Sequence, residues 1–247
     1  MMKTPEHIAI IMDGNRRWAL DRNLPTRYGH DKGALNVENI AEAAHEQGVR
    51  WLTLFAFSTE NWGRSPLEVR ALMTIFRNYL KSKVHSLIDQ NIRLQVIGDR
   101  SRFPHDINEM IDEAVDASAT NDGLNLTIAL GYGGKADLAM ATRRIAEKVR
   151  DGDLDPNSID EALIKAHIST AVLPPVDLLI RTGREHRISN FLIWDVAYAE
   201  LAFSPTYWPD FDAQELARII DGYAKSDRRF GGDGVVLETF RKTASST

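Results

Sequence analysis

Short apolar runs of strand length alternate in this chain with longer stretches of helical period, and that alternation leaves few folds open. Strand candidates are residues 8–12, 51–57, 92–98, 124–130 and 177–181, with a short one near 201–203. Several are near-continuous apolar runs, Ile8 to Met12 being one, as strands covered on both faces require. Helical stretches lie between them at about 32–47, 66–90, 106–119, 135–150 and 212–225. The β-then-α order predicts one α/β domain with a central, mostly parallel sheet flanked by helices and joined by right-handed crossovers. No Pro/Gly/Ser-rich linker divides it, and the stretch from Asp151 to Pro156 reads as a loop between helices. The domain is expected to span 1–241, with a small polar tail at 242–247 that is expected to be disordered.

The helix expected over 66–90 has a marked start. Ser65 is placed to cap it, Pro66 takes the first helical position, and Glu68 stands where a capping box needs it. Leu72, Met73, Phe76, Leu80, Val84, Leu87 and Ile88 then recur at helical spacing. Ordinary core packing explains most of them, and the wall of a hydrocarbon tunnel is the other reading.

Bulk properties remove several function classes. A net charge of −5 over 247 residues argues against a nucleic-acid protein, whose binding rests on a basic face. With no cysteine there is no disulfide, thiolate metal site or cysteine nucleophile, which suits a reducing cytoplasm. No run approaches transmembrane length, and the first residues lack a signal peptide's apolar core. A soluble protein is expected, with any membrane contact peripheral.

The chemistry gathers where strands end. The run from His7 to Met12 stops in Asp13-Gly14-Asn15, and Arg16, Arg17 and Trp18 follow at once. A carboxylate beside arginines suits a magnesium–diphosphate site. Magnesium takes oxygen ligands from one or two carboxylates plus substrate phosphates, and the guanidinium fork binds phosphate bidentately. Ser58, Thr59, Glu60, Asn61, Trp62, Gly63 and Arg64 follow the second strand, and Arg181-Thr182-Gly183 and Arg187-Ile188-Ser189-Asn190 follow the fifth. Ligands of open α/β sheets gather at the carboxyl ends of strands, so these blocks can share one rim. Two arginine groups offer two anion sites. Arg16 and Arg17 with the Gly14 and Asn15 amides form the first, and Arg181, Arg187 and Ser189 form the second.

Taken with Gly29-His30, Gly131-Tyr132-Gly133-Gly134, Ala197 to Leu201 and Tyr207 to Phe211, these motifs resemble the cis-prenyltransferase family of the undecaprenyl diphosphate synthase type. The resemblance runs from about His7 to Gly232. It implies a homodimer that extends farnesyl diphosphate with isopentenyl diphosphate, using Mg2+, to a long polyprenyl diphosphate. The lipid product would bring peripheral membrane contact.

It also implies residue roles. The Arg16–Arg17 group holds the allylic diphosphate, with His30 nearby, and the Arg181–Arg187–Ser189 group holds isopentenyl diphosphate beside Ile188. Asp13 binds magnesium, with Glu200 as a second carboxylate linked to the metal and His186 near it. Ser58, Thr59, Glu60, Trp62 and Arg64 complete the substrate loop. Read as residues, the faces of Trp18 and Trp62 can shield an allylic cation, with core packing an equal alternative. Arg229 and Gly231 belong to a C-terminal element that reaches the partner's isopentenyl site. Asn61 takes the family's proton-acceptor position. A neutral amide is a poor base, so its own chemistry points to orienting substrate or water while a diphosphate oxygen takes the proton.

The chain departs from the family pattern at two places. Arg184 replaces a small residue, and Thr26 followed by Arg27 stands where an arginine usually follows Pro25. Two alternatives remain. One is a shorter product set by tunnel length, with Ala56, Leu124 and Leu126 suggestive of its floor. The other is a catalytically silent partner subunit, against which Asp13, Asn61, Arg181, Arg187 and Glu200 speak. The absence of a DDxxD motif disfavours a trans-type synthase.

Overall fold

A computed structural model describes residues 4–226. Its strands are β1 (His7–Ile11), β2 (Trp51–Ser58), β3 (Arg93–Ile97), β4 (Asn125–Tyr132), β5 (Leu178–Arg181) and β6 (Glu200–Phe203). They form one six-stranded sheet in the order β3-β4-β2-β1-β5-β6, every pairing parallel. From β1 the chain builds outward through β2 to one side, then returns to add β5 and β6 on the other. The carboxyl ends of β1 and β5 therefore flank a topological switch point, where open α/β sheets leave a crevice.

β1 is buried along its whole length because it sits in the middle of the sheet. Ile8 and Ile10 point to one face, packing with Val37, Ile40, Leu216 and Ile220. Ala9 and Ile11 point to the other, with Leu179, Phe191, Leu192 and Val196. The period-two alternation of a strand thus serves two apolar layers at once.

The helices are α1 (Asn15–Leu20), α2 (Thr26–Glu46), α3 (Pro66–Ser82), α4 (Val84–Asp89), α5 (His105–Ala117), α6 (Gly134–Arg150), α7 (Glu161–His167) and α8 (Ala213–Lys225). Four departures from the sequence reading matter. The residues after Asp13 form α1, a helix absent from the expected set, and α2 starts at Thr26, six residues before the expected 32. The long helix expected over 66–90 is two helices broken at Lys83, where φ is −124°. No proline or glycine marks that break, so periodicity alone passes over it. α7 was not anticipated, although Asp160 caps it by accepting from the Leu163 amide.

Ser65 does cap α3, accepting from the Glu68 amide at 3.3 Å. The Glu68 carboxylate turns instead to Arg64 at 2.8 Å. The reciprocal capping box occurs one motif earlier. The Ser58 side chain accepts from the Asn61 amide, and Asn61 Oδ1 accepts from the Ser58 amide at 2.9 Å.

Candidate active site

Asp13 stands just past β1, held by its backbone as much as by its side chain. Its amide donates to Thr182 Oγ1 at 2.9 Å, and its carbonyl accepts from the Thr182 hydroxyl at 2.8 Å and the Trp208 amide at 3.0 Å. Gly183, at φ +85°, passes so close that a Cβ there would lie 2.9 Å from the Asp13 carbonyl. A side chain would force the β1 and β5 loops apart.

The Asp13 carboxylate joins the two arginine groups that the sequence separates. Oδ2 accepts from Arg181 at 2.8 Å, and Oδ1 accepts from the Gly14 amide at 2.6 Å and pairs with Arg17 at 3.0 Å. Arg17 continues to Glu185 at 3.3 Å, and Glu185 to Arg187 at 2.5 Å. Arg181, Asp13, Arg17, Glu185 and Arg187 therefore form one chain of alternating charge along the rim. Burial pushes the Asp13 carboxyl up, but Arg181 and Arg17 outweigh it and hold it below the usual carboxylate range.

Arg181 is only 4% exposed. Besides Asp13 it donates to the Arg187 carbonyl at 2.5 Å and to Ser189 Oγ at 2.6 Å. It is the most buried charge of the rim and orders the loop after β5. That loop carries positive φ at Arg184, Ser189, Asn190 and Leu192, backbone that only surrounding contacts sustain.

Much of that support is Asn190. It accepts from the Gly134 and Lys135 amides, both at 2.8 Å, and donates to Glu60 at 3.0 Å. It therefore ties α6 and the Ser58–Arg64 loop to the β5 loop. Gly133 allows the contact, since a Cβ there would run into Thr59 Oγ1 and lie 2.9 Å from Asn190 Nδ2. Burial raises the Glu60 carboxyl, while Asn190 and neighbouring hydroxyls bring it below its ordinary value.

These elements enclose a polar pocket lined by Asp13, Gly14, Asn15, Arg16, Asn61, Arg64, Arg181 and Arg187, among others. Met12, Asn15, His30, Ala56 and Leu72 line it too, and the same five line an apolar tunnel that runs on between the sheet, α2, α3 and α5. Ala56 reaches this junction because β2 bulges: Phe55 and Phe57 pair with the consecutive residues Ala129 and Leu130, leaving Ala56 as the extra one. His30 is mostly buried. Burial first, then the Arg64 cation, lowers its pKa, and its Nε2 is buried without a partner. Gly29 and Gly33 let α2 lie against the Asn15 loop, where a Cβ would strike the Asn15 carbonyl or side-chain oxygen.

Other residues singled out in the sequence sit elsewhere. Trp62 packs edge-on to Phe57 and Phe103, with Arg102 over its face, and Trp18 lies under Arg22. Neither lines pocket or tunnel. Both serve as packing surfaces here, so a cation-shielding role has no support in their placement. Glu200 does not join Asp13 within the chain. β6 register puts it level with Leu178 and Ile8, near the opposite end of the strands. His186 is exposed, its ring 5.0 Å from Phe203. Ile188 packs under the β5 loop against the core. Leu124 is fully buried core and Leu126 lines the tunnel, while Ala56 is at its mouth instead of its floor. Arg229 and Gly231 lie outside the described residues.

Thr182, Glu185, Asn190 and Tyr207 were not singled out as site residues. The available signal was the place of Thr182, Asn190 and Tyr207 within the Arg-Thr-Gly, Arg-Ile-Ser-Asn and Tyr-Trp-Pro blocks, and of Glu185 between the first two.

Among the described residues no cluster of three or more histidine, aspartate or glutamate side chains could enclose an ion. A single carboxylate beside phosphate-binding arginines suits an ion that draws its other ligands from substrate phosphates and water, as magnesium usually does. The donor set therefore fits magnesium held with substrate.

A carboxylate–arginine rim opening onto an apolar tunnel defines a protein for ligands with an anionic head and a hydrocarbon tail. Residues 11–231 match the family described as "Putative undecaprenyl diphosphate synthase", and the chain belongs to that family. It is 48% identical over 226 residues to the (2E,6E)-farnesyl-diphosphate-specific ditrans,polycis-undecaprenyl-diphosphate synthase of Escherichia coli K12, covering 92% of this chain and 89% of that protein. It is 47% identical to an isoprenyl transferase of Zymomonas mobilis, covering 92% of each. Among solved structures, lavandulyl diphosphate synthase of Lavandula x intermedia, in complex with dimethylallyl diphosphate, matches with a TM-score of 0.90 at 39% identity, covering 92% of this chain and 98% of that one.

Proposed function

We propose that this chain extends farnesyl diphosphate by successive condensation with isopentenyl diphosphate, giving undecaprenyl diphosphate, the precursor of the cell-wall lipid carrier. The observation that carries the reading is the shared wall of pocket and tunnel. A diphosphate among the arginines directs its hydrocarbon tail past Ala56 into apolar space.

Magnesium, held by Asp13 and substrate oxygens, would offset the charge that builds on the departing diphosphate. Arg16, Gly14 and Asn15 line the same pocket, and the Arg16 cation stabilises that charge electrostatically. Departure leaves an allylic cation, the isopentenyl double bond attacks it, and a proton then leaves C2. Asn61 Oδ1 already accepts the Ser58 amide, so the amide side chain acts as a positioning donor through Nδ2. A diphosphate oxygen takes the proton. Arg187, paired with Glu185 at the rim, turns to the isopentenyl diphosphate.

We place the enzyme in the cytoplasm as a homodimer. β6 is a sheet edge among the described strands, and Leu201 on it and Tyr198 just before it are 49% and 77% exposed. An open edge with apolar side chains needs a cover, and a second copy supplies one. No described helix is long and apolar enough to cross a membrane, so lipid contact would come through the product. A shorter product is the second reading, favoured by the Tyr79 ring in the tunnel wall.

Incubation with farnesyl diphosphate, labelled isopentenyl diphosphate and magnesium, followed by product chromatography, tests the reading. Long-chain label is expected. A pure, folded chain that incorporates none would overturn it and favour the silent-partner alternative.

A further inference from the structure

Tyr79 is an unusual wall residue for a hydrocarbon tunnel. It lies on α3 with Phe76 and Leu80 and lines the bore, as do Val84 and Leu87 of α4. Its hydroxyl is buried and has no hydrogen-bond partner. A buried donor left unsatisfied carries its full desolvation cost, and phenylalanine would fill the same space without it.

The missing acceptor is close by. Glu38, on α2, pairs through Oε2 with Lys83 at 3.4 Å, while its Oε1 is buried and equally unpartnered. After burial, the Glu38 charge is the second influence that raises the Tyr79 hydroxyl pKa. Lys83 lies one helical turn beyond Tyr79, at the break between α3 and α4. A donor lacking an acceptor and an acceptor lacking a donor thus stand near each other where the tunnel wall is interrupted.

We propose that Tyr79 sets product length as a gate with two positions. In one its ring narrows the bore and its hydroxyl is unpaired. In the other the ring swings toward α2 and the hydroxyl donates to Glu38 Oε1, leaving room for further isoprene units. The hydrogen bond offsets part of the work of moving the ring, so a growing chain can displace it. Growth stops where the tail no longer gains enough contact to hold the gate aside. The inference rests on the prenyl-transferring reading of the site.

The test uses the full chain with farnesyl diphosphate and labelled isopentenyl diphosphate, scoring total label and chain length separately. Tyr79→Ala should move the product to longer chains, and Tyr79→Leu, a milder change for the fold, should move it the same way. Tyr79→Phe and Glu38→Met should each shorten it, because both remove the hydrogen bond that rewards the open position. The double variant Tyr79→Phe/Glu38→Met should be no shorter than either single one. Unchanged chain length in Tyr79→Ala and Tyr79→Leu overturns the proposal. Lengthening in those two with native length in Tyr79→Phe and Glu38→Met would leave only a fixed plug and overturns the gate. A native chain that incorporates no label overturns the underlying reaction and the gate with it, and the separate score for total label distinguishes that failure from the others.

Discussion

The rim pocket and the tunnel share five wall residues yet differ in charge: ion pairs run along the rim, while the tunnel lining is apolar but for a few groups. On the rim, the charges of Asp13, Arg17, Arg181, Glu185 and Arg187 pair in an unbroken chain, with Arg181 Nε alone among their polar atoms buried without a partner, and Thr182 and Asn190 fasten the loops beneath them. In the tunnel and its wall, the Tyr79 hydroxyl and one Glu38 oxygen are buried without partners. A network whose charges are paired is rigid and electrostatically prepared before substrate arrives. An unpaired one leaves a second arrangement within reach. Chemistry that must be repeated identically at each addition belongs on the first kind of scaffold. A ruler that must yield to a lengthening tail belongs on the second.

The strongest way to break the contrast is to cut the rim chain at its centre. Asp13→Asn keeps the size and an acceptor for Arg181 but removes the charge. Turnover should fall by roughly 10²–10³-fold or more, as when a transition-state electrostatic contact is lost. The unfolding temperature should drop only modestly. Asp13→Ala should additionally destabilise by about 1–3 kcal/mol, because it also removes the acceptor of the buried Arg181 guanidinium. Steady-state kinetics with thermal melts separates the two effects, and near-native turnover in Asp13→Asn at saturating magnesium would remove the carboxylate from the mechanism.

Next comes the junction. Ala56 is the bulged residue between pocket and tunnel, so Ala56→Phe should obstruct entry of the tail, not its far end. Product length should collapse to the first additions while diphosphate binding persists. A full-length product from a folded variant would mean that the bulge does not aim this side chain into the passage.

A smaller effect follows from acidification. His7 is fully buried, with Nδ1–H donating to the Pro174 carbonyl at 2.9 Å and Nε2 accepting from the Thr53 hydroxyl at 2.8 Å. Burial lowers its pKa, as it does for His30. Below the ordinary histidine value of 6.5 the unfolded chain therefore binds protons that the folded chain refuses. Stability from these groups is complete above that value and declines as pH falls through the window beneath it, by up to about 1.4 kcal/mol per pH unit for each histidine. Unfolding free energies between pH 7 and pH 5 should fall accordingly, and His30→Gln should flatten part of the slope. A slope unchanged by that substitution would show that His30 titrates normally.

The same contrast explains what the sequence revealed. The sheet was legible because strands buried on both faces need continuous apolar runs, and the rim because Asp13, the Ser58–Arg64 block and Arg181 each follow a strand. The tunnel was not legible. Leu72, Leu80, Val84 and Leu87 carry the same periodic signal whether they face a void or a neighbour, and Leu124 and Leu126 differ only in which they face. The break at Lys83 left no composition signal, and the bulge at Ala56 depends on register with β4. The joining of the two arginine groups through Asp13 and Glu185 is likewise a tertiary fact. Residues 177 to 187 had to return beside β1 before their charges could alternate.

Arg184 should show the smallest effect, and it sharpens the comparison because it sits on the rim without belonging to its ion chain. Its backbone is at φ +70°, where a small residue stands in the family pattern. The side chain bends away from the pocket, its guanidinium 4.9 Å from the Tyr207 ring centre and its Nε donating to the Pro205 carbonyl at 3.3 Å. Arg184→Gly relieves a left-handed backbone cost of the order of 1 kcal/mol and gives up an exposed cation–π contact of about 0.5–1 kcal/mol. The two nearly cancel, so the melting temperature should scarcely move. Arg181 and Arg187 line the pocket and Arg184 does not, so KM for isopentenyl diphosphate should change only modestly and kcat hardly at all. A tenfold rise in KM, equal to about 1.4 kcal/mol of lost binding, would mean that Arg184 leaves Tyr207 to grip the diphosphate. The rim would then hold a mobile cation, and its contrast with the yielding tunnel would be one of degree.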